Sequence, residues 1–195
     1  MNNNAIIDQL INKGIQFAKG LTEAEFQRIE EIYNVRFPGS LRRFYSLGLP
    51  DSEDPDDMAG FPRWTDFSAA NIAKIKERIQ APIHWVCGYI KRGFWIPNWG
   101  KRPKSTNEAI KQFMEIAMKA PRLIPIYSHR YMPQLDGVEN PPVISTVGID
   151  IIYYGSDLHE YLQNEFQRDG DFLVPQNCVY IPFWGDIINY NGFWE

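Results

Sequence analysis

Cysteine is scarce in this chain of 195 residues, which contains only Cys87 and Cys178. The two stand far apart in a sequence without an export signal, so we expect reduced thiols that serve packing and no disulfide. Structural zinc sites bring their ligands in close pairs, and His84-x-x-Cys87 has no second pair, although His129 and His159 add further ligand types. We therefore expect neither a metal nor any other cofactor.

A secretion signal and a long apolar run are also missing. The first residues, MNNNAIIDQLINKG, lack a basic region followed by a continuous apolar region, and no stretch reaches the roughly 18 apolar residues that span a bilayer. These absences predict a cytoplasmic protein without a membrane partner. With 20 basic and 24 acidic side chains the net charge is −4, so nothing attracts the chain as a whole to nucleic acid.

The familiar catalytic motifs are absent as well. Neither of the glycine-rich phosphate loops occurs, and no Gly-x-Ser-x-Gly elbow presents a nucleophile. One constellation remains, in which His129 and Arg130 follow a predicted strand and Asp150 lies on a neighbouring one. A His–Asp acid–base pair with an arginine anion clamp would suit phosphoryl or acyl chemistry. We favour another interpretation, an ion pair of Arg130 with Asp150 or Asp157 while His129 bonds a backbone carbonyl.

Helices dominate the first part of the predicted structure. Ile6–Ile11 has helical spacing, and Thr22 with Glu25 forms a capping box at the start of a second helix. Pro38 marks the corner before a third helix, which Gly48 would end with a positive φ. Ser68 can cap a helix over residues 71–79, and Ser105 with Glu108 forms a second capping-box pattern before residues 109–119.

Strands are predicted in the second part. The apolar period changes toward β at Leu123–Tyr127, Val143–Val147 and Ile149–Tyr154, and a last strand is predicted at Val179–Phe183. A helix should follow Gly155. Helices flanking a mostly antiparallel sheet make the fold class α+β, and the length fits one domain over residues 1–195.

Two segments resemble the SUKH superfamily, the group named after yeast cell-wall regulators of Smi/Knr type. The first is LTEAEFQRIEEIYNVRFPGSLRRFYSLGLP, and the second is the strand-rich Leu123–Phe166 with DIIYYG leading into its last helix. The resemblance implies a SUKH-like single domain, to which residues 68–120 would be an aromatic-rich helical insertion. The matching residues of the first segment are Leu21, Glu25, Ile29, Glu30, Pro38, Leu41, Phe44 and Tyr45.

Aromatic and charged residues outside those segments are the candidate binding surface. Lys91, Arg92, Lys101, Arg102 and Lys104 interleave with aromatics in the insertion, a pattern that can bind single-stranded nucleic acid. The acidic balance of the chain argues against that use, and we expect the aromatics to pack into the core or an interface. The segment Asp51–Asp57, DSEDPDD, is expected to be an exposed acidic loop that could steer a basic partner.

The SUKH resemblance implies protein binding without catalysis. Many bacterial members of the superfamily look like immunity proteins that neutralise a cognate toxin, so we expect a bacterial toxin domain as the partner. The alternative is an enzyme or a phosphate or nucleotide binder that uses His129, Arg130 and Asp150. The predicted partner-binding residues are Asp51, Glu53, Asp54, Asp56, Asp57, Trp85, Trp95 and Trp99.

Overall fold

The chain folds around a four-stranded antiparallel sheet with helices on both faces, so the predicted α+β class is confirmed. The computed structural model describes residues 3–51, 60–167 and 172–191. The strands of the main sheet are adjacent in chain order: β3 (Leu123–Tyr127), β4 (Arg130–Pro133), β5 (Val143–Val147) and β6 (Asp150–Gly155). A separate two-stranded sheet pairs β1 (Gln16–Ala18) with β2 (Leu49–Asp51). The helices are α1 (Asn3–Asn12), α2 (Glu23–Tyr33), α3 (Gly39–Leu47), α4 (Ala69–Lys91), α5 (Thr106–Ala117), α6 (Leu158–Leu162) and α7 (Trp184–Asn191).

Both faces of the main sheet are buried by helices. Successive side chains of a strand point to opposite faces, so each strand contributes to both core clusters. Ile124 and Met132 point into the first core cluster, which α1, α2, α3 and α6 cover. Tyr131 and Ile144 point into the second core cluster, which α5, α7 and the second half of α4 cover. The sheet is therefore the middle layer between two helical layers.

The long helix α4 crosses from one core cluster to the other. Ser68 caps its start by accepting a hydrogen bond from the Asn71 amide, as predicted. Ile75 near the start packs in the first core cluster, and Ile90 near the end packs in the second. We predicted a helix over residues 71–79 only, but α4 extends to Lys91 and includes part of the aromatic insertion.

The helix continues past the predicted boundary because its internal proline has a compensating contact. Pro82 has no amide hydrogen, so it cannot bond the carbonyl four residues earlier, which is that of Arg78. The Tyr131 hydroxyl donates to that same carbonyl at 3.0 Å. A side chain from the main sheet thereby replaces the hydrogen bond that the proline removes.

One strand was missed by the sequence analysis and one predicted strand is wrong. His129–Tyr131 follow β3 as predicted, but Arg130 also begins β4, a fully buried strand next to the edge. The predicted strand at Val179–Phe183 is not formed. Pro182 there has no donor for a sheet, and Phe183 has a φ of 69°, which is incompatible with an extended strand.

The predicted caps have different outcomes. The Thr22 capping box is confirmed: the Glu25 amide donates to the Thr22 hydroxyl at 3.3 Å, and the Thr22 amide donates to the Glu25 carboxylate at 2.7 Å. The Ser105 box is wrong, since Ser105 precedes α5 but its side chain accepts no cap hydrogen bond. Gly48 ends α3 in an extended conformation, with a φ of −173°, so the predicted positive φ is also wrong.

Replacing Thr22 by alanine should destabilise the protein by about 1 kcal/mol, because a helix amide loses its side-chain acceptor. The matched control is Ser105→Ala, which removes a hydroxyl at the same helix position but no hydrogen bond. Urea unfolding gives the free energy of both variants. Equal losses in the two variants would contradict the assignment of the capping box.

Replacing Tyr131 by phenylalanine should cost about 1–3 kcal/mol in unfolding free energy, because it leaves the buried Arg78 carbonyl without a hydrogen-bond donor. In a Pro82→Ala background the loss should be smaller, since the alanine has a backbone amide that can donate to that carbonyl. A double-mutant cycle measured by urea unfolding isolates this coupling. The same loss in both backgrounds would show that the hydroxyl does not compensate for the proline.

Candidate functional site

Arg130 is held at three points by the fold. Its Nε donates to Glu165 Oε2 at 2.8 Å, and its Nη1 donates to Ser145 Oγ at 2.9 Å. The guanidinium carbon also lies 3.7 Å from the ring centroid of Tyr154. The side chains of the ion pair are only 10% and 15% exposed. The guanidinium therefore joins β4, β5 and β6 to the segment after α6.

The partner of Arg130 differs from the predicted one. Helix α6 continues into a π-helical turn at Gln163–Gln167, and this turn carries Glu165. Asn164 in the same turn donates to the Tyr154 carbonyl at 3.0 Å, which holds the turn against β6. The predicted partner Asp157 instead caps α6, where its Oδ1 accepts from the Glu160 amide at 2.8 Å.

His129 lies in the turn between β3 and β4 and is half-buried. Its Nδ1 is 3.0 Å from the hydroxyl of Ser128, so the predicted bond from the ring to a backbone carbonyl is corrected. Burial, followed by the positive charges of Arg130 and Arg78, lowers the pKa of His129 below its usual value. The imidazole is consequently neutral at neutral pH.

Asp150 does not join His129 in an acid–base pair. It is the exposed first residue of β6 and lies opposite Val147 of β5. Strand β5 separates β4 from β6, and neighbouring strands are about 4.8 Å apart. The three residues of the predicted chemical site are thus near one end of the sheet, but Arg130 bonds Glu165 and no hydrogen bond links His129 to Asp150 among the described residues.

A second arginine is buried beneath the same turn. Arg78 on α4 is 1% exposed, and its Nη2 donates to the Ser128 carbonyl at 2.7 Å. Burial lowers the pKa of Arg78, and burial raises the pKa of Tyr131 to about 12. The phenol of Tyr131 is therefore a donor at neutral pH and not a base. Sequence reasoning missed Arg78, because a single arginine on a helical pattern carries no motif.

The thiols and imidazoles do not assemble a metal site within the described ranges. No group of three or more His, Cys, Asp or Glu side chains there could hold a metal ion. Cys87 Sγ lies 3.8 Å from Met114 Sδ, and burial raises the pKa of this thiol. Burial, with a smaller contribution from Glu160, raises the pKa of Cys178 to about 11. Both thiols are therefore protonated at neutral pH.

Of the three tryptophans predicted to bind a partner, one is buried and two are half-buried. Trp99 is 4% exposed in the second core cluster, with its ring centroid 5.0 Å from that of Phe113. It offers no surface to a partner, and its prediction as a binding residue is corrected. Trp95 is half-buried: its ring lies 5.3 Å from Trp99, and its Nε1 donates to the Gly100 carbonyl at 2.8 Å. Trp85 on α4 is also half-buried.

The basic residues of the insertion are partly used within the fold. The Arg92 guanidinium lies over the Tyr89 ring, 4.1 Å from its centroid. Arg102 Nη2 donates to the Ile90 carbonyl at 3.2 Å. The Arg102 bond joins the end of α4 to the loop before α5, and both contacts engage guanidinium groups that the pattern could have used for phosphates.

The acidic part of the predicted surface is only partly described. Asp51 is exposed at the end of β2, opposite Gln16 of β1. No hydrogen bond or ion pair given by the structure links it to the tryptophans. Glu53, Asp54, Asp56 and Asp57 lie outside the described residues.

Sequence reasoning missed an exposed apolar segment at residues 172–180. Four of its large apolar side chains are 46–66% exposed. Two of them, Val179 and Tyr180, belong to the β-like run that we interpreted as a strand, whereas Leu173 and Val174 lie before it and had no signal in the sequence. The four residues are Leu173, Val174, Val179 and Tyr180.

No protein-family model matches the chain, and neither a curated protein nor a solved structure matches it. Membership of the SUKH superfamily therefore stays a prediction from the residues quoted above. In the described part of the chain, no helix has both the length and the apolar character needed to cross a membrane.

Replacing Arg130 by methionine should cost about 3 kcal/mol in unfolding free energy, since it leaves the largely buried Glu165 carboxylate without its cation. The matched control is Arg43→Met, which breaks the exposed pair with Glu139 and should cost less than about 1 kcal/mol. Urea unfolding measures both. Equal costs would contradict a structural role for Arg130.

Proposed function

We propose that this chain is a protein-binding module without catalysis, an immunity protein that neutralises a bacterial toxin domain by direct contact. The observation that carries the proposal is the exposed apolar segment at residues 172–180. Single apolar side chains are common on protein surfaces, and it is the density here, four exposed apolar side chains within eight residues, that supports an interaction site. The SUKH resemblance supplies the class of partner.

The apolar segment is held by polar contacts that leave its side chains outward. Asn164 Nδ2 donates to the Leu173 carbonyl at 3.3 Å, and Gln176 Nε2 donates to the Val174 carbonyl at 3.1 Å. Pro175, between Val174 and Gln176, is buried. A surface that is ordered before binding loses less conformational entropy when a partner docks, which favours affinity.

Acidic groups give this surface a charge preference. The Tyr180 hydroxyl donates to Asp186, and the same carboxylate oxygen accepts from Asn98 Nδ2 at 2.7 Å. The whole chain carries a net charge of −4, and Asp51–Asp57 adds a dense acidic segment. Asp186 beside the apolar segment and the acidic balance of the chain fit a basic partner, because charge complementarity accelerates association and selects the partner.

The alternative of an enzyme or anion binder has less support. Its anion clamp, Arg130, already bonds Glu165 and Ser145. An incoming phosphate or carboxylate would have to displace a largely buried ion pair. His129 and Asp150 also lack the mutual hydrogen bond that an acid–base pair uses.

Replacing Val174 by arginine should weaken binding of the toxin domain about 30-fold or more, because a central contact is lost and a positive charge faces a basic partner. The toxin to test is one encoded by a reading frame adjacent to the gene for this chain. Binding is measured by calorimetry and protection by survival of toxin-expressing cells. The matched control is Val147→Arg on β5, where the valine is 54% exposed but lies outside the apolar segment.

The same assay separates protein binding from catalysis. His129→Ala and Asp150→Asn should both protect the cells as well as the wild type does, since neither residue belongs to the proposed surface. Loss of protection by these variants while they remain folded, together with turnover of a small substrate by the wild type, would contradict the proposal and support the enzyme.

A further inference from the structure

An apolar groove of about 420 Å³ lies between α4 and α5 on the side of the second core cluster. One wall is the i, i+4 pair Ile79 and Ile83 of α4. The opposite wall is the end of α5, with Met114 and Ala117, followed by Met118. Its volume falls within the range of about 300–1,000 Å³ that is usual for small-ligand sites.

Small side chains form part of the α5 wall of the groove. Ala117, the last residue of the helix, and Ala120 after it both line the groove. Phe113, one turn before Ala117, is fully buried in the second core cluster. Met118 on the same wall is 77% exposed, and unbranched methionines adapt readily to the shape of a ligand.

The inner end of the groove suits an apolar ligand group. Trp184 lines it, and the indole Nε1 already donates to the Pro121 carbonyl at 2.9 Å. Leu123 beside it is almost fully buried and apolar. An apolar group of a ligand would therefore displace water from this end without leaving a protein donor unpaired.

Positive charge lies at the edge of the groove. Arg122 lines it and is exposed, and its guanidinium makes no hydrogen bond or ion pair with any residue in 3–51, 60–167 or 172–191. The exposed imidazole of His84 also lines the groove. No aspartate or glutamate is among the lining residues, so nothing on the groove wall opposes an anion.

We propose that this groove binds a small amphipathic anion, with an unbranched apolar chain between α4 and α5 and a carboxylate at Arg122. The arginine fork can bond both oxygens of a carboxylate, which gives the charged end a defined position. The apolar chain replaces water along the isoleucine and methionine walls. This site is separate from the proposed function and does not depend on it.

The test is isothermal titration of the full chain with decanoate, below its micelle concentration. Decan-1-ol has the same apolar body without the charge, and decylamine has the opposite charge. The wild type should bind decanoate most tightly. Arg122→Gln should weaken decanoate binding about tenfold or more, because the carboxylate loses its charge-assisted hydrogen bonds, and leave decan-1-ol binding unchanged.

Two further variants control the interpretation. Lys119→Gln removes an exposed positive charge that does not line the groove, and it should change decanoate binding less than about twofold. Ala117→Phe should fill the groove and abolish binding of both decanoate and decan-1-ol, while circular dichroism confirms that the variant is folded.

Three outcomes would overturn the proposal. One is the absence of saturable decanoate binding to the folded wild type. Another is equal affinity for decanoate and decan-1-ol with no effect of Arg122→Gln, which would show a groove that does not recognise the anion. The third is a dimer in sedimentation that Ala117→Phe dissociates, because the groove would then be covered by a second copy. All three are measured without the toxin, so they leave the proposed function untouched.

Discussion

The hydrogen bond from the Tyr131 hydroxyl to the Arg78 carbonyl is the contact on which the three-layer arrangement depends. Pro82 would otherwise leave that buried carbonyl without a donor in the middle of a 23-residue helix, and a buried unpaired carbonyl is destabilising. With the contact, α4 continues far enough to pack in both core clusters. The Tyr131 phenol thus permits one helix to pack in the core clusters on both faces of the main sheet.

The same region explains why the polar residues of the β3–β4 turn are structural. The Arg78 side chain donates to the Ser128 carbonyl, so a hydrogen bond connects the turn to α4. Ser128 has a φ of 45°, a conformation that non-glycine residues adopt at a cost unless contacts hold it. Arg130, two residues later, bonds β5 and the π-helical turn. Two buried arginines therefore organise one turn, and burial, followed by their positive charges, lowers the pKa of His129.

What the sequence could predict was local. The Thr22 capping box involves residues three apart, and the strands over 123–127 and 143–147 carry an unbroken β pattern. The failures are contacts between distant residues. The helix predicted over residues 71–79 was too short, since the Tyr131 hydroxyl that compensates for Pro82 is 49 positions from that proline. Glu165 was missed because it reaches Arg130 from a π-helical turn 35 positions later. Ser105 shows the converse, since its pattern matches that of Thr22 but its side chain makes no cap hydrogen bond.

Helix α7 connects the two surfaces for which we propose ligands. Trp184, its first residue, lines the α4–α5 groove, and Asp186 in the same turn accepts the hydrogen bond from Tyr180 of the exposed apolar segment. A ligand in the groove can alter partner affinity only if its own affinity differs between two positions of this first turn of α7. If it does, linkage requires the partner to change the affinity for the ligand by the same factor. Helix α7 is thus a direct structural connection through which occupancy of the groove could regulate protein binding.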